Sequence, residues 1–332
     1  MNLKELAMQC ILCHHNTTII EDRVRRDDLV ALYHKNFGID ISNIVSSDLL
    51  YMHCQECDLK FFVCENGIIP TGNDAFYNAL NLLPWYYFDE KHEYHYAKDF
   101  IAPDSKVLEV GCGKAAFAEF LPRKENYIGL EFSTQAKEMA ARRGITIQNT
   151  PVEEYCKEHC GEFDVSCSFQ VLEHVSNPYT FLQSQITCLQ SIRGGVTLNN
   201  TPKLIIAVPS EDSFLHDCVN GILNMPPHHI SRFSDKTLHY IAKLFDLRLI
   251  KLYHEPIQPE HRDFYKSTMW AKKFLPTPLI DKGILRKFIN KFGILGKRWI
   301  QIPPNTYGHT VIAVYEKNTS CKNEKDYKEK DI

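Results

Sequence analysis

Residues 107–121 read VLEVGCGKAAFAEFL, and no other stretch constrains the fold as tightly. VLEV has the continuous apolar character of a parallel strand buried on both faces. Gly111 and Gly113 follow at once, and an Ala-rich segment with apolar residues at Ala115, Ala116, Phe117, Phe120 and Leu121 reads as a helix packed on a sheet. Strand, glycine turn and helix in this order bring backbone close to a nucleotide-like ligand in doubly wound α/β proteins. Gly111 supplies the unusual backbone angles of the turn, and Gly113 leaves room for a ligand to approach.

An acid stands at the matching distance. ENYIGLEFS reads as a second strand ending in Glu131, about 20 residues past the glycines, where a carboxylate can accept both hydroxyls of a ribose. The glycine pattern is E-x-G-x-G-x-A rather than G-x-G-x-x-G, with Glu109 two residues before the first glycine. A pyrophosphate disfavours a carboxylate so close, whereas a cofactor with a cationic amino-acid end tolerates one. This form points to S-adenosylmethionine rather than NAD.

With these residues in hand, 104–212 resemble a class I S-adenosylmethionine-dependent methyltransferase. VLEVGCGKAAF is similar to its first motif, GLEFS to its second, ITIQNTPVEEY to the exit of its third strand, FDVSCSFQVLEHVSNP to its fourth motif and LIIAVPSED to its fifth strand. Ala115 replaces the usual third glycine. The resemblance implies a seven-stranded, doubly wound Rossmann-like sheet whose last strand is antiparallel. It places cofactor contacts at Glu109, Gly111, Cys112, Gly113, Glu131, Phe132, Thr150, Pro151, Val152, Gln170 and Val171. Strands are expected at about 106–110, 127–131, 145–148, 164–169, 203–208, 247–255 and 308–317, with an amphipathic helix over 234–245.

Upstream, Cys10-Ile-Leu-Cys13 and Cys54-Gln-Glu-Cys57 form two C-x-x-C pairs with 40 residues between them. Two such turns can complete a closed tetrahedral site for a structural Zn2+. TTII and KFFV beside them read as strands, and Leu29, Leu32, Tyr33 and Phe37 mark a helical insertion, so 1–68 reads as a zinc-ribbon-like module. Free thiols or a redox C-x-x-C are the alternatives, and His14, His15, His53 or Cys64 could replace one cysteine. Residues 69–100 form an aromatic connector in which Trp85, Tyr86, Tyr87, Tyr94 and Tyr96 read as a helix across the sheet edge. It either covers the cofactor, with Tyr86 and Tyr87 in contact, or simply packs.

The methyltransferase domain is expected over 101–317, with an insertion at about 256–307. Across 261–300 ten Lys or Arg stand against two Asp, in a chain whose net charge is −3. A basic amphipathic helix over 283–299 can touch an anionic membrane surface or a phosphorylated substrate, or present a solvated face. Residues 318–332 are charged and nearly without apolar side chains, the composition of a disordered tail. No run of about 18 apolar residues is present, MNLKELAMQC lacks the core of a signal peptide, and twelve cysteines without one imply reduced thiols. The expected location is cytoplasmic. No pattern selects an oligomeric state.

For chemistry, the acceptor site of this fold lies beyond strands four and five. Glu173 and His174 (in QVLEHV) and His228 and His229 (in MPPHHISRFS) fall there. Imidazole titrates near neutrality and suits the base that takes an acceptor's proton. The cysteine module, connector and HHISRFS together resemble bacterial sugar- and glycan-pathway methyltransferases, some of them zinc-containing C-methyltransferases of nucleotide-linked deoxysugars. Their E-H-x-x-Y-F-S motif places the base at His229. His228 replaces the motif's Glu and Arg232 its Tyr, so substrate contacts are expected to differ and O-methylation fits as well. The expected function is methyl transfer to a small polar acceptor, a sugar, nucleotide-sugar or glycan precursor. A nucleic-acid methyltransferase is disfavoured by the mildly acidic chain and the absence of N/D-P-P-Y/F after strand four. A non-catalytic scaffold is disfavoured by the retained Gly111, Gly113 and Glu131.

Overall fold

The computed structural model describes residues 8–83, 89–190, 201–218, 221–274 and 297–318. In chain order the elements are β1 (Thr18–Val24), α1 (Arg26–Phe37), β2 (Leu49–Cys54), β3 (Lys60–Cys64), α2 (Asp74–Asn81), α3 (His92–Ala97), β4 (Val107–Val110), β5 (Tyr127–Leu130), α4 (Thr134–Ala141), β6 (Ile147–Gln148), α5 (Val152–Glu158), β7 (Val165–Phe169), α6 (Pro178–Cys188), β8 (Lys203–Pro209), β9 (Ser231–Arg232), α7 (Asp235–Leu244), β10 (Leu247–Pro256), α8 (Arg262–Phe274) and β11 (Tyr307–Lys317).

Seven strands form one sheet in the order β10-β11-β8-β7-β4-β5-β6. The pairs from β6 to β8 are parallel, and β11 runs antiparallel to both neighbours. This is the α/β Rossmann-like methyltransferase fold expected from the motifs. Every residue of β4 and β7 is buried, as a central parallel strand requires. Alternate residues divide between two layers: Leu204, Ile206 and Val208 pack to one side of β8, Ile205 and Ala207 to the other. Helix α7 is capped by Ser234, whose side chain accepts from the Thr237 amide, and buries Thr237, Leu238 and Ile241.

The segment after the glycine turn departs from expectation. Residues 116–120 form a 3-10 helix rather than an α-helix. Ala116, Phe117 and Ala118 are consecutive and all buried, whereas an amphipathic α-helix would turn one of three neighbours outward. The connector also divides. It holds two short helices, α2 and α3, and Pro84 follows the first; the residue before a proline is pushed out of helical geometry. Tyr96 stacks on Tyr253 of the edge strand β10, ring centroids 3.9 Å apart. Tyr94 is buried against Phe117, Phe120 and Phe169. Trp85, Tyr86 and Tyr87, most of the basic helix at 283–299, and the tail beyond 318 lie outside the described residues.

The cysteine-bearing segment folds as a second, antiparallel sheet in the order β1-β2-β3-β9. Its last strand comes from the HHISRFS segment: Lys60 pairs with Arg232 and Phe61 with Ser231. Cys10, Leu12, Met52, Phe61 and Val63 join Phe233, Leu238 and the β8 face in one continuous core. Arg232 lies over the rings of Tyr51 and Phe62, 5.0 and 5.3 Å from their centroids, and donates to the Asn224 carbonyl. It is a clamp between the two sheets and does not line the cavity described below, so its replacement of Tyr does not act by touching substrate there. No helix among the described residues is long and apolar enough to cross a membrane.

Candidate functional site

The glycine turn is built by positive φ at three alternate positions: Gly111 (+72°), Gly113 (+51°) and Ala115 (+54°). A Cβ on Gly111 would sit 2.5 Å from Cγ2 of Val171, so the turn and the exit of β7 are in direct contact. The Gly111 and Cys112 amides donate to the Leu130 carbonyl at 2.8 and 3.1 Å. Glu131, just past β5, accepts from the amides of Gly113 (3.0 Å), Phe132 (2.8 Å) and Ser133 (2.9 Å). The tips of β4 and β5 are thereby locked together.

Gly111, Cys112, Gly113, Glu131, Phe132, Thr150, Pro151, Val152, Gln170 and Val171 all line one cavity of about 1280 Å3. Single-ligand pockets are commonly about 300–1,000 Å3, so this one has room for a cofactor and an acceptor. Its glycine-lined floor and the carboxylate at the β5 tip fit S-adenosylmethionine, whose chemistry when bound is that of an electrophilic methyl group on a cationic sulfur.

Glu109 is placed differently from expectation. It is buried, is not among the cavity-lining residues, and accepts from the Tyr127 hydroxyl at 2.5 Å. Side chains alternate along a strand, and Glu109 faces into the layer behind the turn. Burial, only partly offset by Tyr127, pushes its carboxyl up to about 8. It braces the turn from below. Tyr86 and Tyr87 lie outside the described residues.

At the other end of the cavity the four acid–base candidates meet. Glu173 and His174 follow β7 in a 3-10 turn, and His228 and His229 precede β9. All four line the cavity. Ligand-capable atoms of the three histidines lie within 4.8 Å of one another, and the His228 and His229 rings are stacked at 4.4 Å. Each Nδ1 faces an oxygen: His174 the His228 carbonyl, His228 the Leu223 carbonyl at 2.8 Å, His229 the Asn224 Oδ1 at 3.1 Å. Glu173 Oε1 lies 3.8 Å from Nε2 of both His174 and His229. Neither Glu173 oxygen has a hydrogen-bond partner among the described residues, although the residue is only 1% exposed.

Burial dominates the ionisation of this cluster. It pushes Glu173 up to about 8 and His174 down to about 4. His228 and His229 are lowered well below the ordinary imidazole range, by burial first and by neighbouring imidazoles next. Burial thus disfavours the charged form of all three rings.

Other polar walls come from elements remote in sequence. Tyr77 of α2 meets the His174 ring edge to face at 5.8 Å. Glu255, at the end of β10, accepts from the Thr310 amide and is raised to about 8 by burial. His309, before the buried part of β11, is lowered to about 3 by burial. Only the His in YGHTV carried any local signal, an imidazole at the start of an apolar strand.

The four cysteines form a separate site. Cys10 and Cys57 sulfurs are 3.6 Å apart, and Cys13 and Cys54 3.5 Å; all four lie within 4.8 Å. Tetrahedral sulfurs at about 2.3 Å from Zn2+ stand about 3.8 Å apart. The two turns repeat each other. His14 and Asp58 take positive φ after Cys13 and Cys57, and their amides donate to the carbonyls of Cys10 and Cys54. The cluster is compatible with a zinc module. His53 instead faces Glu21 and Asp58.

The fold and the cavity define a S-adenosylmethionine-dependent methyltransferase. Residues 85–252, just over half of the chain, match a family described as a methyltransferase domain, and the chain belongs to that family. Similar curated proteins are ubiquinone biosynthesis O-methyltransferases. One from Escherichia coli strain HS is 33% identical over 141 residues, 39% of this chain and 55% of that enzyme. One from Psychrobacter cryohalolentis is 31% identical over 111 residues, 30% of this chain and 42% of that enzyme. The matches thus span roughly half or less of those enzymes' length. A solved S-adenosylmethionine-dependent methyltransferase from Archaeoglobus fulgidus is similar at 16% identity and a TM-score of 0.45, over 68% of this chain and 91% of that one.

Gly111→Ala forces a left-handed residue to carry a Cβ and drives it into Val171. The strain is of order 1–3 kcal/mol, so calorimetry should show S-adenosylmethionine binding weakened about tenfold or more; affinity equal to the wild type would show that the turn is not the cofactor floor.

Glu109 supplies a pH test in the cofactor-free protein. Its folded pKa is raised, so between the unfolded value of about 4.5 and the folded value of about 8 the folded state holds a proton the unfolded state has lost. Stability therefore falls as pH rises through that window. The buried histidines act in the opposite sense, but above about pH 7 they are neutral in both states. The decline between about pH 7 and 8 belongs to the buried carboxyls Glu109, Glu173 and Glu255, and Glu109→Gln should make it shallower in urea melts. An unchanged slope rules out a buried, proton-holding Glu109.

Proposed function

We propose that the enzyme transfers a methyl group to a hydroxyl of a small polar acceptor, a sugar, nucleotide-sugar or glycan precursor. The observation that carries this reading is the polarity of the acceptor end: Glu173, His174, His228, His229, Asn224, Glu255 and His309 all face the cavity. Such a wall suits a ligand bearing several hydroxyls, because each buried polar group left unpaired costs about 1–3 kcal/mol. His229 lies where the sugar-methyltransferase resemblance puts the base, its Nδ1 held by Asn224 and its Nε2 toward Glu173. The reacting hydroxyl docks against this cluster and yields its proton there. In-line alignment and exclusion of water then carry most of the rate.

A ubiquinone-pathway acceptor is the second reading, favoured by the names of the curated relatives. The two are separated by incubating the purified protein and S-adenosylmethionine with a panel of nucleotide sugars, glycan precursors and ubiquinone precursors. S-adenosylhomocysteine formation with a hydroxylated sugar compound, abolished in His229→Ala, is the expected result. Turnover confined to ubiquinone precursors would overturn the sugar reading.

We also propose that Cys10, Cys13, Cys54 and Cys57 hold one structural Zn2+. The support is the sulfur spacing and the repeated turn geometry. Elemental analysis should return zinc bound through these four residues, and Cys54→Ser should lose it and lower the melting temperature. A fully metal-free preparation with unchanged melting would exclude the site.

A further inference from the structure

We propose that His174, His228 and His229, with Glu173 beside them, form a second metal centre, which holds a divalent first-row transition ion such as Zn2+ at the acceptor end of the cavity. The inference rests on the acceptor site proposed above and deepens it, by assigning the hydroxyl's activation to a cation rather than to a lone imidazole.

Three independent observations converge on it. First, the three imidazoles gather their ligand-capable atoms within 4.8 Å although they come from two separate segments. Ligands about 2.1 Å from a common ion stand about 3–3.4 Å apart, so closure needs side-chain shifts of about 1 Å. Second, all three Nδ1 atoms face fixed oxygens, two of them backbone carbonyls and one the Asn224 side chain. Metal-ligating histidines are commonly held this way, leaving Nε2 to bind; His174 also lies within reach of the Gln170 backbone. Third, Glu173 has both oxygens without a hydrogen-bond partner among the described residues, at 1% exposure, and aims one of them between the His174 and His229 Nε2 atoms. An uncompensated buried carboxylate is expensive; a dication at the centre of the cluster compensates it. Three imidazole nitrogens beside a carboxylate, with no thiolate, are a donor set for Zn2+ and its first-row neighbours rather than for Mg2+ or Ca2+.

The centre is on the cavity wall, so a bound ion can take an acceptor oxygen as a further ligand. Coordination weakens the O–H bond. The electron pair stays on oxygen, the proton passes to water, and the oxygen is held facing the cofactor end.

The test uses the full-length protein after chelator treatment, titrated with Co2+ and followed by absorption and calorimetry. Two classes of site are expected. One shows thiolate-to-cobalt charge-transfer absorption and belongs to the four cysteines; the other shows visible d–d bands without it. His229→Ala and Glu173→Gln should each weaken the second class by at least about tenfold, leaving the thiolate class and S-adenosylmethionine affinity unchanged. Asn224→Ala, which removes only the side chain behind His229, should weaken it by about 10–100-fold and provides the readout should the ligand variants fail to fold. A wild-type protein that shows only the thiolate class, with and without S-adenosylmethionine, overturns the inference. So does a second class that survives all three substitutions. Failure of the acceptor reading is distinguishable: the second class then appears, but no sugar compound is methylated. Methylation of a sugar by protein shown to lack the second class would retain the acceptor reading and sink the metal.

Discussion

The pairing of two residues, Ser231 and Arg232, with Phe61 and Lys60 of β3 holds this molecule together as one working unit. Around it, the Phe62 amide donates to the Ile230 carbonyl at 2.8 Å and the Ile230 amide to the Glu173 carbonyl at 2.9 Å. One short strand thus ties the cysteine-bearing sheet, the exit of β7 and, across Ile230, the two histidines upstream of it. Tyr33 of α1 adds bonds to the carbonyls of Ile222 and Met225, and the Gly72 amide reaches Pro227. The N-terminal sheet is therefore the outer support of the cavity wall that carries His228 and His229. The Cys54–Cys57 turn joins β2, which ends at Cys54, to β3, which starts at Lys60 and pairs with β9.

Burial of charge is the second constraint. Glu109, Glu173 and Glu255 are each nearly inaccessible and each raised to about 8. Glu109 is partly satisfied by Tyr127 and Glu255 by the Thr310 amide, so both can be understood as braces. Glu173 has no such partner among the described residues. Structural carboxyls are normally paired when buried, and the one that is not stands beside His174 and His229 in the cavity wall.

The fold was legible because its information is local. β4, the glycine turn and β5 are contiguous, and an all-apolar strand followed by Gly111 and Gly113 leaves few alternatives. The two C-x-x-C pairs were legible for the same reason, and the structure brings them together across 40 intervening residues. Side-chain direction was less legible. Glu109 falls inside the motif yet faces backward, because the pleat sets its direction and the motif does not. Residues 116–120 suit an apolar helix but tighten to 3-10 because all of Ala116, Phe117 and Ala118 must be buried. Arg232 reads as a substrate contact from its place in HHISRFS, whereas stacking on Tyr51 and Phe62 is visible only once β9 joins β3. Tyr77, Glu255 and His309 reach the cavity from three distant elements, and no single-sequence pattern reports such convergence.

The two ends of the cavity are electrostatically matched to what each must hold. A cationic cofactor is best placed near carboxylate and away from positive charge. The floor offers Glu131, and burial strips the facing histidines of the charge they would carry in water. An imidazolium cluster there would repel the cofactor across a medium that screens poorly. Neutral rings avoid that cost, but they leave Glu173 without a counter-charge. The cluster can settle this by keeping Glu173 protonated or by taking up a cation. The first choice gives a hydrogen-bond donor facing the Nε2 atoms of His174 and His229 at 3.8 Å; the second draws the three imidazoles together around an ion beside it, with shifts of about 1 Å. The same burial that weakens the histidines as free bases leaves their lone pairs open to a proton from Glu173 or to a cation, and the cobalt titration distinguishes the two.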